Sequence, residues 1–186
     1  MNTDNVTLHY SKLFEDSRAP EKNNPDDSGF DVFVHGFRKA FILDHLGEFE
    51  EKARENGEIP GITTMENGKV VSITLNPNER VLIGTGLACT VTSEQGRLYE
   101  LQARPRSGNS WAKALDIINS PGTVDNPYRG EVMVIIRNGS NKAQNISVGD
   151  KIAQLVPAEI PRATLKETKN LGETSRQDKG FGSSGN

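Results

Sequence analysis

Short runs of alternating apolar and polar residues, cut by turn residues every few positions, fill most of this chain and constrain its fold more than anything else. Val6-Thr-Leu-His-Tyr10 alternates, as do Val71-Ser-Ile-Thr-Leu75, Arg80-Val-Leu-Ile83, Leu87 to Val91 and Leu98 to Ala103. A period of two sends one face of a strand to a core and the other to water. Val132-Met-Val-Ile-Ile136 has no polar alternates and is expected to be buried on both faces. Ile146-Ser-Val148 and Ile152-Ala-Gln-Leu-Val156 continue the pattern. Asn76-Pro77, Gly84 to Gly86, Gln95-Gly96, Asn138-Gly139 and Gly149-Asp150 punctuate it with turns. Many short strands with regular turns predict an all-β barrel or jelly roll. The strand–helix alternation of a Rossmann sheet is absent.

One region departs from this pattern. Between about residues 37 and 70 the chain becomes charged, and Ile42, Leu46, Phe49 and Ala53 fall at i, i+4, i+7 and i+11, on one helical face. Glu48 and Lys52, and Glu50 and Arg54, stand at the i,i+4 spacing of helix ion pairs, with Asn56-Gly57 as a stop. A helix near 43–56 and a polar loop through Gly68 are predicted. Such an insertion is either packed on the outside of the domain or a surface that binds a protein partner or flanks the active site.

With 186 residues, one domain with a sizeable core is expected, and 34% hydrophobic residues leave room for a polar insertion and tail. A net charge of −3 provides no field for nucleic acid. No apolar run approaches the roughly 18 residues of a membrane span, and Met1-Asn-Thr-Asp-Asn5 lacks the regions of a secretory signal, so a cytoplasmic location is expected. The single cysteine, Cys89, excludes an intrachain disulfide and lies in an alternating run, as a small core residue would. His9, His35 and His45 have no ligand spacing.

Against that background, Asn119-Ser-Pro-Gly-Thr-Val-Asp-Asn-Pro-Tyr-Arg-Gly-Glu131 stands out. It reads as a rigid hairpin around one carboxylate, Asp125, and one aromatic, Tyr128. Two prolines stiffen it and two glycines allow close backbone approach. Such a turn offers a fixed pattern of N–H and C=O groups to a polar base, with an acid at hand to activate water and a ring to pack on a sugar. Arg104-Pro-Arg-Ser-Gly108 reads as a phosphate contact or as a basic turn before a short helix beginning near Ser110. Asp31, in Ser28-Gly-Phe-Asp31, suits the waters of Mg²⁺ or a simple turn. Gln154 is polar within an apolar strand and needs a partner. The tail, 166–186, is polar and reads as a flexible arm after a domain spanning 1–165. Within it, Arg176 suits phosphate, Phe181 suits a base, and Gly182-Ser-Ser-Gly185 suits an anion-binding nest.

Five of these segments, in this order, resemble the homotrimeric dUTP pyrophosphatases (dUTPases): Ser28-Gly-Phe-Asp-Val32, Pro105-Arg-Ser-Gly108, Asn119 to Glu131, Gly149-Asp-Lys-Ile-Ala-Gln-Leu155 and Arg176 to Gly185. The resemblance implies a jelly-roll (β-clip) subunit and a homotrimer whose active sites draw on several subunits. It also implies Mg²⁺-dependent cleavage of dUTP to dUMP and pyrophosphate, which limits uracil in DNA and supplies dUMP for thymidylate synthesis. Asp125 matches the general base. Tyr128 matches the residue that packs on the deoxyribose. Asn119, Thr123, Val124 and the Asp125 backbone match uracil and sugar contacts, and Met133 matches a residue lining the same pocket. Arg106, Ser107, Gly108 and Gln154 match phosphate contacts, as do Arg176, Gly182, Ser183 and Ser184 in the arm. Asp31 matches the acid that holds Mg²⁺ through water, and Phe181 matches the ring that stacks on uracil. The chain departs from the pattern at Gln177, where glycine is common, and at Ser184, where threonine is common.

Two rivals remain. The related dCTP deaminases need a glutamate on the strand after Asp125, and this chain has Ile135 there. A dUTP-gated regulator that binds a partner through residues 37–70 would use the same nucleotide site without depending on turnover.

Overall fold

The computed structural model describes residues 4–43, 48–53, 59 and 62–175. Its strands are β1 (Val6–Lys12), β2 (Phe30–Phe33), β3 (Gly36–Leu43), β4 (Phe49–Ala53), β5 (Thr63–Glu66), β6 (Lys69–Leu75), β7 (Arg80–Gly84), β8 (Leu87–Ser93), β9 (Leu98–Pro105), β10 (Leu115–Ile117), β11 (Gly122–Val124), β12 (Met133–Asn138), β13 (Gln144–Ser147) and β14 (Lys151–Ile160). A short helix, α1 (Ser107–Lys113), lies between β9 and β10. The expected all-β architecture is therefore present, and no described helix is long and apolar enough to cross a membrane.

The strands form four antiparallel sheets: β1-β8, β10-β12-β7-β3-β4, β11-β9-β14-β2 and β13-β6-β5. Alternation explains the core. Leu87, Cys89 and Val91 of β8 point inward, as do Tyr99, Leu101 and Ala103 of β9. They meet Ile73, Leu75, Ile83, Val134 and Ile136 from other sheets, and Ile152 and Leu155 of β14. Each such aliphatic side chain contributes about 1.5–3 kcal/mol by leaving water. Burial pushes the Cys89 thiol up to about 11, so it is an inert core residue, as its alternating context predicts. Buried Asn138 is fully engaged. It donates to the carbonyls of Leu75 (2.9 Å) and Lys142 (2.7 Å) and accepts from the Ser140 amide (2.9 Å) and hydroxyl (2.7 Å).

Three expectations need correction. The predicted helix at 43–56 is not formed where the chain is described: β3 and β4 make an antiparallel pair there, with Leu43 opposite Phe49 and Lys39 opposite Ala53. The helical spacing of Ile42 and Phe49 is equally compatible with two strands. What decides between them is β7, whose ladder β3 extends from Gly36 to Phe41. Tertiary pairing overrides the local preference of a charged run. The charges change role accordingly: Lys39 pairs with Glu51 across the strands at 2.9 Å, and Lys52 pairs with Glu50 along β4 at 2.6 Å. Leu46, Arg54 and Asn56-Gly57 lie outside the described residues.

The polar loop expected through Gly68 is in part the β5–β6 hairpin. Asn67 and Gly68 both have positive φ (50° and 74°) at its turn, and an Asn-Gly pair is the strongest short signal for such a turn. The third correction concerns Val132–Ile136, which is buried on one face only. Val134 and Ile136 are inside, whereas Met133 is 38% exposed and Ile135 half-buried. An apolar run alone cannot separate a strand buried twice from one whose second face lines a cleft.

Candidate functional site

The segment from Asn119 to Glu131 is not a hydrogen-bonded hairpin, because its two arms join different sheets. β11 pairs with β9, placing Thr123 opposite Gln102 and Val124 opposite Leu101, while β12 pairs with β10 and β7. The chain between them turns a corner. The Tyr128 amide donates to the Asp125 carbonyl at 2.9 Å, closing a turn that contains Pro127. Asn126 fastens that turn to β8: its side-chain amide donates to the Val91 carbonyl (2.9 Å), and its side-chain oxygen accepts from the Thr90 hydroxyl (2.9 Å). The Tyr128 hydroxyl donates to the Glu131 carbonyl at 3.0 Å. The phenol lies so close over Gly130 that a Cβ there would collide with it, so glycine is required for this ring position.

Where the two sheets part, a cleft of about 260 Å³ opens, lined by Leu82, Asn119, Thr123, Val124, Asp125, Tyr128, Glu131, Val132, Met133 and Ile135. Every residue expected to contact base or sugar is there, except Phe181. Asp125 is exposed at this cleft and Tyr128 is 42% exposed. Ile135 forms an apolar part of the cleft wall. Glu131, to which the sequence pattern assigns no role, is the second carboxylate of the cleft, but Arg38 and the Gly86 amide already engage it.

The phosphate-side residues assemble separately. Asp31 on β2, with its side chain 3% exposed, accepts from Arg106 (Nε to Oδ1, 2.9 Å; Nη2 to Oδ2, 3.4 Å), from Gln154 Nε2 (3.3 Å) and from Lys151 Nζ (2.9 Å). Burial works to raise its pKa, yet the Lys151, Arg106 and Gln154 contacts outweigh burial and hold the carboxyl below the usual carboxylate value. The partner that Gln154 requires is thus Asp31. Lys151 is an addition to the expected set, although it belongs to the same Gly-Asp-Lys-Ile-Ala-Gln run. Ser107 and Gly108 are exposed and open α1, which starts three residues earlier than the expected Ser110. Arg106 and Lys151 face a cationic notch of about 180 Å³ with Asn109, Lys113 and Asp150. Neither cavity contains residues of both sets. Arg176, Phe181, Gly182, Ser183 and Ser184 lie outside the described residues.

No group of three metal-ligating side chains occurs among the described residues. With four donors on its two oxygens, Asp31 does not fit a direct bond to a metal. Its donor set would suit an outer-sphere role, holding a metal through water.

Comparison with known proteins decides the family. A model of the dUTPase family matches residues 70–185, more than half of the chain. The chain belongs to the dUTPase family. The deoxyuridine 5'-triphosphate nucleotidohydrolase of Nautilia profundicola is 39% identical over 140 residues, which cover 73% of this chain and 96% of that protein. Its counterpart in Hydrogenobaculum sp. is 45% identical over 113 residues, covering 61% and 76%. Among solved structures, the Staphylococcus bacteriophage 80alpha dUTPase with dUPNHPP superposes with a TM-score of 0.65 at 23% identity, covering 96% of this chain and 98% of that one. The phage phi11 dUTPase of S. aureus, in a structure that visualises a species-specific insert, gives 0.59 at 22%, covering 90% and 99%. Hydrolysis of dUTP is the activity of this dUTPase.

Proposed function

We propose that the corner cleft takes the deoxyuridine of dUTP and that Asp125 aims the water. The observation that carries this reading is the convergence of Asn119, Thr123, Val124, Asp125, Tyr128 and Met133 on one cleft. Water is a poor nucleophile and needs a positioned acceptor for its proton. Asp125 takes that proton as the water oxygen bonds to the α-phosphorus and the bond to the pyrophosphate oxygen breaks. Backbone groups of 123–125 read uracil, because a wrong base would leave buried polar groups unpaired. Tyr128 closes the space a 2'-hydroxyl would occupy.

Arg106, Ser107, Gly108 and Gln154 bind phosphates. Lys151 adds a second cation beside Arg106. Mg²⁺ bound to the triphosphate supplies charge neutralisation, with Asp31 as its water-mediated anchor. Base-binding and phosphate-binding residues line different cavities of one chain, which supports a site assembled between copies. Trp111, 93% exposed on α1, supports the same conclusion, since an indole this open is a natural contact for a neighbouring subunit. We infer a homotrimer whose arm, 166–186, brings Arg176, Phe181, Gly182, Ser183 and Ser184 over the bound nucleotide and excludes bulk water. The cytoplasm, with its nucleotide pool, is the location that goes with this role.

One assay tests the reading: pyrophosphate release from dUTP, dCTP, dTTP and UTP with Mg²⁺. Turnover confined to dUTP is expected. Comparable release from dCTP or UTP would overturn the assigned base and sugar contacts.

A further inference from the structure

We propose that Arg38 is a positioning residue for the sugar side of the dUTP cleft, acting through Glu131 on Tyr128; this rests on the reading that the cleft holds deoxyuridine. Arg38 belongs to β3, outside the family-matched residues 70–185 and within the charged region 37–70. It occupies a β-bulge: Phe37 pairs with Ile83 and Lys39 with Leu82, leaving Arg38 between them without a ladder partner. Bulges of this kind re-aim a side chain. Here the guanidinium is turned to Glu131, 93 positions away in sequence, and binds it through two parallel bonds (Nε to Oε2, 3.0 Å; Nη2 to Oε1, 2.7 Å). Only 17% of the Arg38 side chain and 15% of the Glu131 side chain are exposed. A bidentate pair in so little water fixes orientation as well as charge.

Glu131 has two further contacts. Its Oε1 accepts the Gly86 amide at 2.8 Å, and its backbone carbonyl accepts the Tyr128 hydroxyl at 3.0 Å. The carboxylate is therefore clamped from β3 and from the turn after β7, while the same residue's backbone holds the phenol. The clamp lies flat on β7 at Gly84, where an added Cβ would strike the Glu131 carboxylate and lie 2.6 Å from Arg38 Nη2. Gly84 in turn pairs with Gly36 of β3 on one side and Met133 of the cleft on the other. The base of the β3–β4 hairpin and the wall of the cleft are thus joined through one ion pair. Arg38 does not line the cleft itself. Its effect is on where the Tyr128 ring stands, and hence on whether a 2'-hydroxyl fits.

The experiment compares Arg38→Ala, Arg38→Lys and Glu131→Gln with the parent full-length enzyme, measuring kcat and KM for dUTP and for UTP. For Arg38→Ala the preference for dUTP over UTP in kcat/KM should fall about tenfold. KM for dUTP should rise by about three- to tenfold, with kcat within about twofold, as expected when a binding group is displaced but the base is untouched. Arg38→Lys keeps the charge but loses the fork and should recover part of the preference. Lys39→Ala, on the same strand but facing Glu51, should change nothing. A purely structural role would reduce folded protein without moving the dUTP/UTP ratio. If Arg38→Ala does not fold, Arg38→Lys and Glu131→Gln decide, each expected to shift the ratio in the same direction by less. Folded variants that keep the parent's ratio and KM overturn the positioning role while leaving the cleft assignment intact. A parent that fails to hydrolyse dUTP would instead remove the cleft assignment itself.

Discussion

Residues 119–133 and the strand pair β3–β4 are neighbours through β7, but they hold their shapes by different means. The cleft segment is fixed from within and from directly beneath. Pro127 sits in its turn, Tyr128 bonds back to Asp125 and forward to Glu131, and Asn126 is tied to β8 at two points. The β3–β4 hairpin is fixed from outside, by the ladder that β3 makes with β7 and by the Arg38 clamp. Its own contacts include exposed ion pairs such as Lys39–Glu51. Chemistry needs atoms held to within a fraction of an ångström, and the proposed base, Asp125, stands on the segment held mostly by its own contacts, with the Arg38 clamp as its link to β3. The sharpest division of labour between the two regions is expected at Asp125. Asp125→Asn keeps the shape and removes the proton acceptor. Pyrophosphate release should fall by about 10²–10⁴-fold, the usual contribution of a general base, with dUTP binding by calorimetry nearly unchanged. Turnover close to the parent's would mean that the cleft segment holds the nucleotide without supplying the base.

The same contrast explains which features are legible in the amino-acid sequence. Strands β6, β7, β8 and β9 follow from alternation, because the pattern records directly which face lies on the core; β12 follows from its apolar run, with the burial of its second face misjudged. Asp125 and Tyr128 stand out within one short run by residue type, Asn119 and Met133 only through the family resemblance, and the structure brings all four to one cleft. Neither signal marks Arg38. Its partner is 93 positions away, and the bulge that aims it is a property of the β3–β7 pairing, not of residues 36–40 alone. Lys151 escapes for a related reason: a lysine on a strand next to Asp150 resembles any surface charge until β2 brings Asp31 beside it. Where the chain is described, strands stand in place of the helix expected at 43–56, because charges at a spacing of four serve paired strands as well as a helix face, and β7 selects the strands. The Asn67-Gly68 pair is the one local signal in that region that points the right way, since it marks a hairpin where composition suggests only a loop.

A smaller effect tests how strongly the local pins hold the cleft. Asn126→Ala removes the amide that satisfies the Val91 carbonyl and the acceptor for the Thr90 hydroxyl. A half-buried carbonyl left without its donor costs about 1–3 kcal/mol, readable as a lower midpoint in denaturant with an unchanged slope. Because the turn also carries Asp125, kcat/KM for dUTP should fall with stability in this variant. Loss of stability with full activity would show that the turn keeps its shape without its pins, and the distinction between the two regions would weaken.

The smallest effect belongs to the hairpin. Lys39 and Glu51 are 2.9 Å apart, but their side chains are 52% and 58% exposed, so water and salt screen most of the attraction. A double-mutant cycle with Lys39→Ala and Glu51→Ala should give a coupling of about 0.2–1 kcal/mol that shrinks as salt is raised, with turnover of dUTP unaltered. If β3 is held by β7 and the Arg38 clamp, as the ladder and the buried pair indicate, the exposed charges are dispensable. A coupling well above about 1 kcal/mol, or one insensitive to salt, would mean that the hairpin stabilises itself much as the cleft segment does, through cross-strand pairs strong enough to be local.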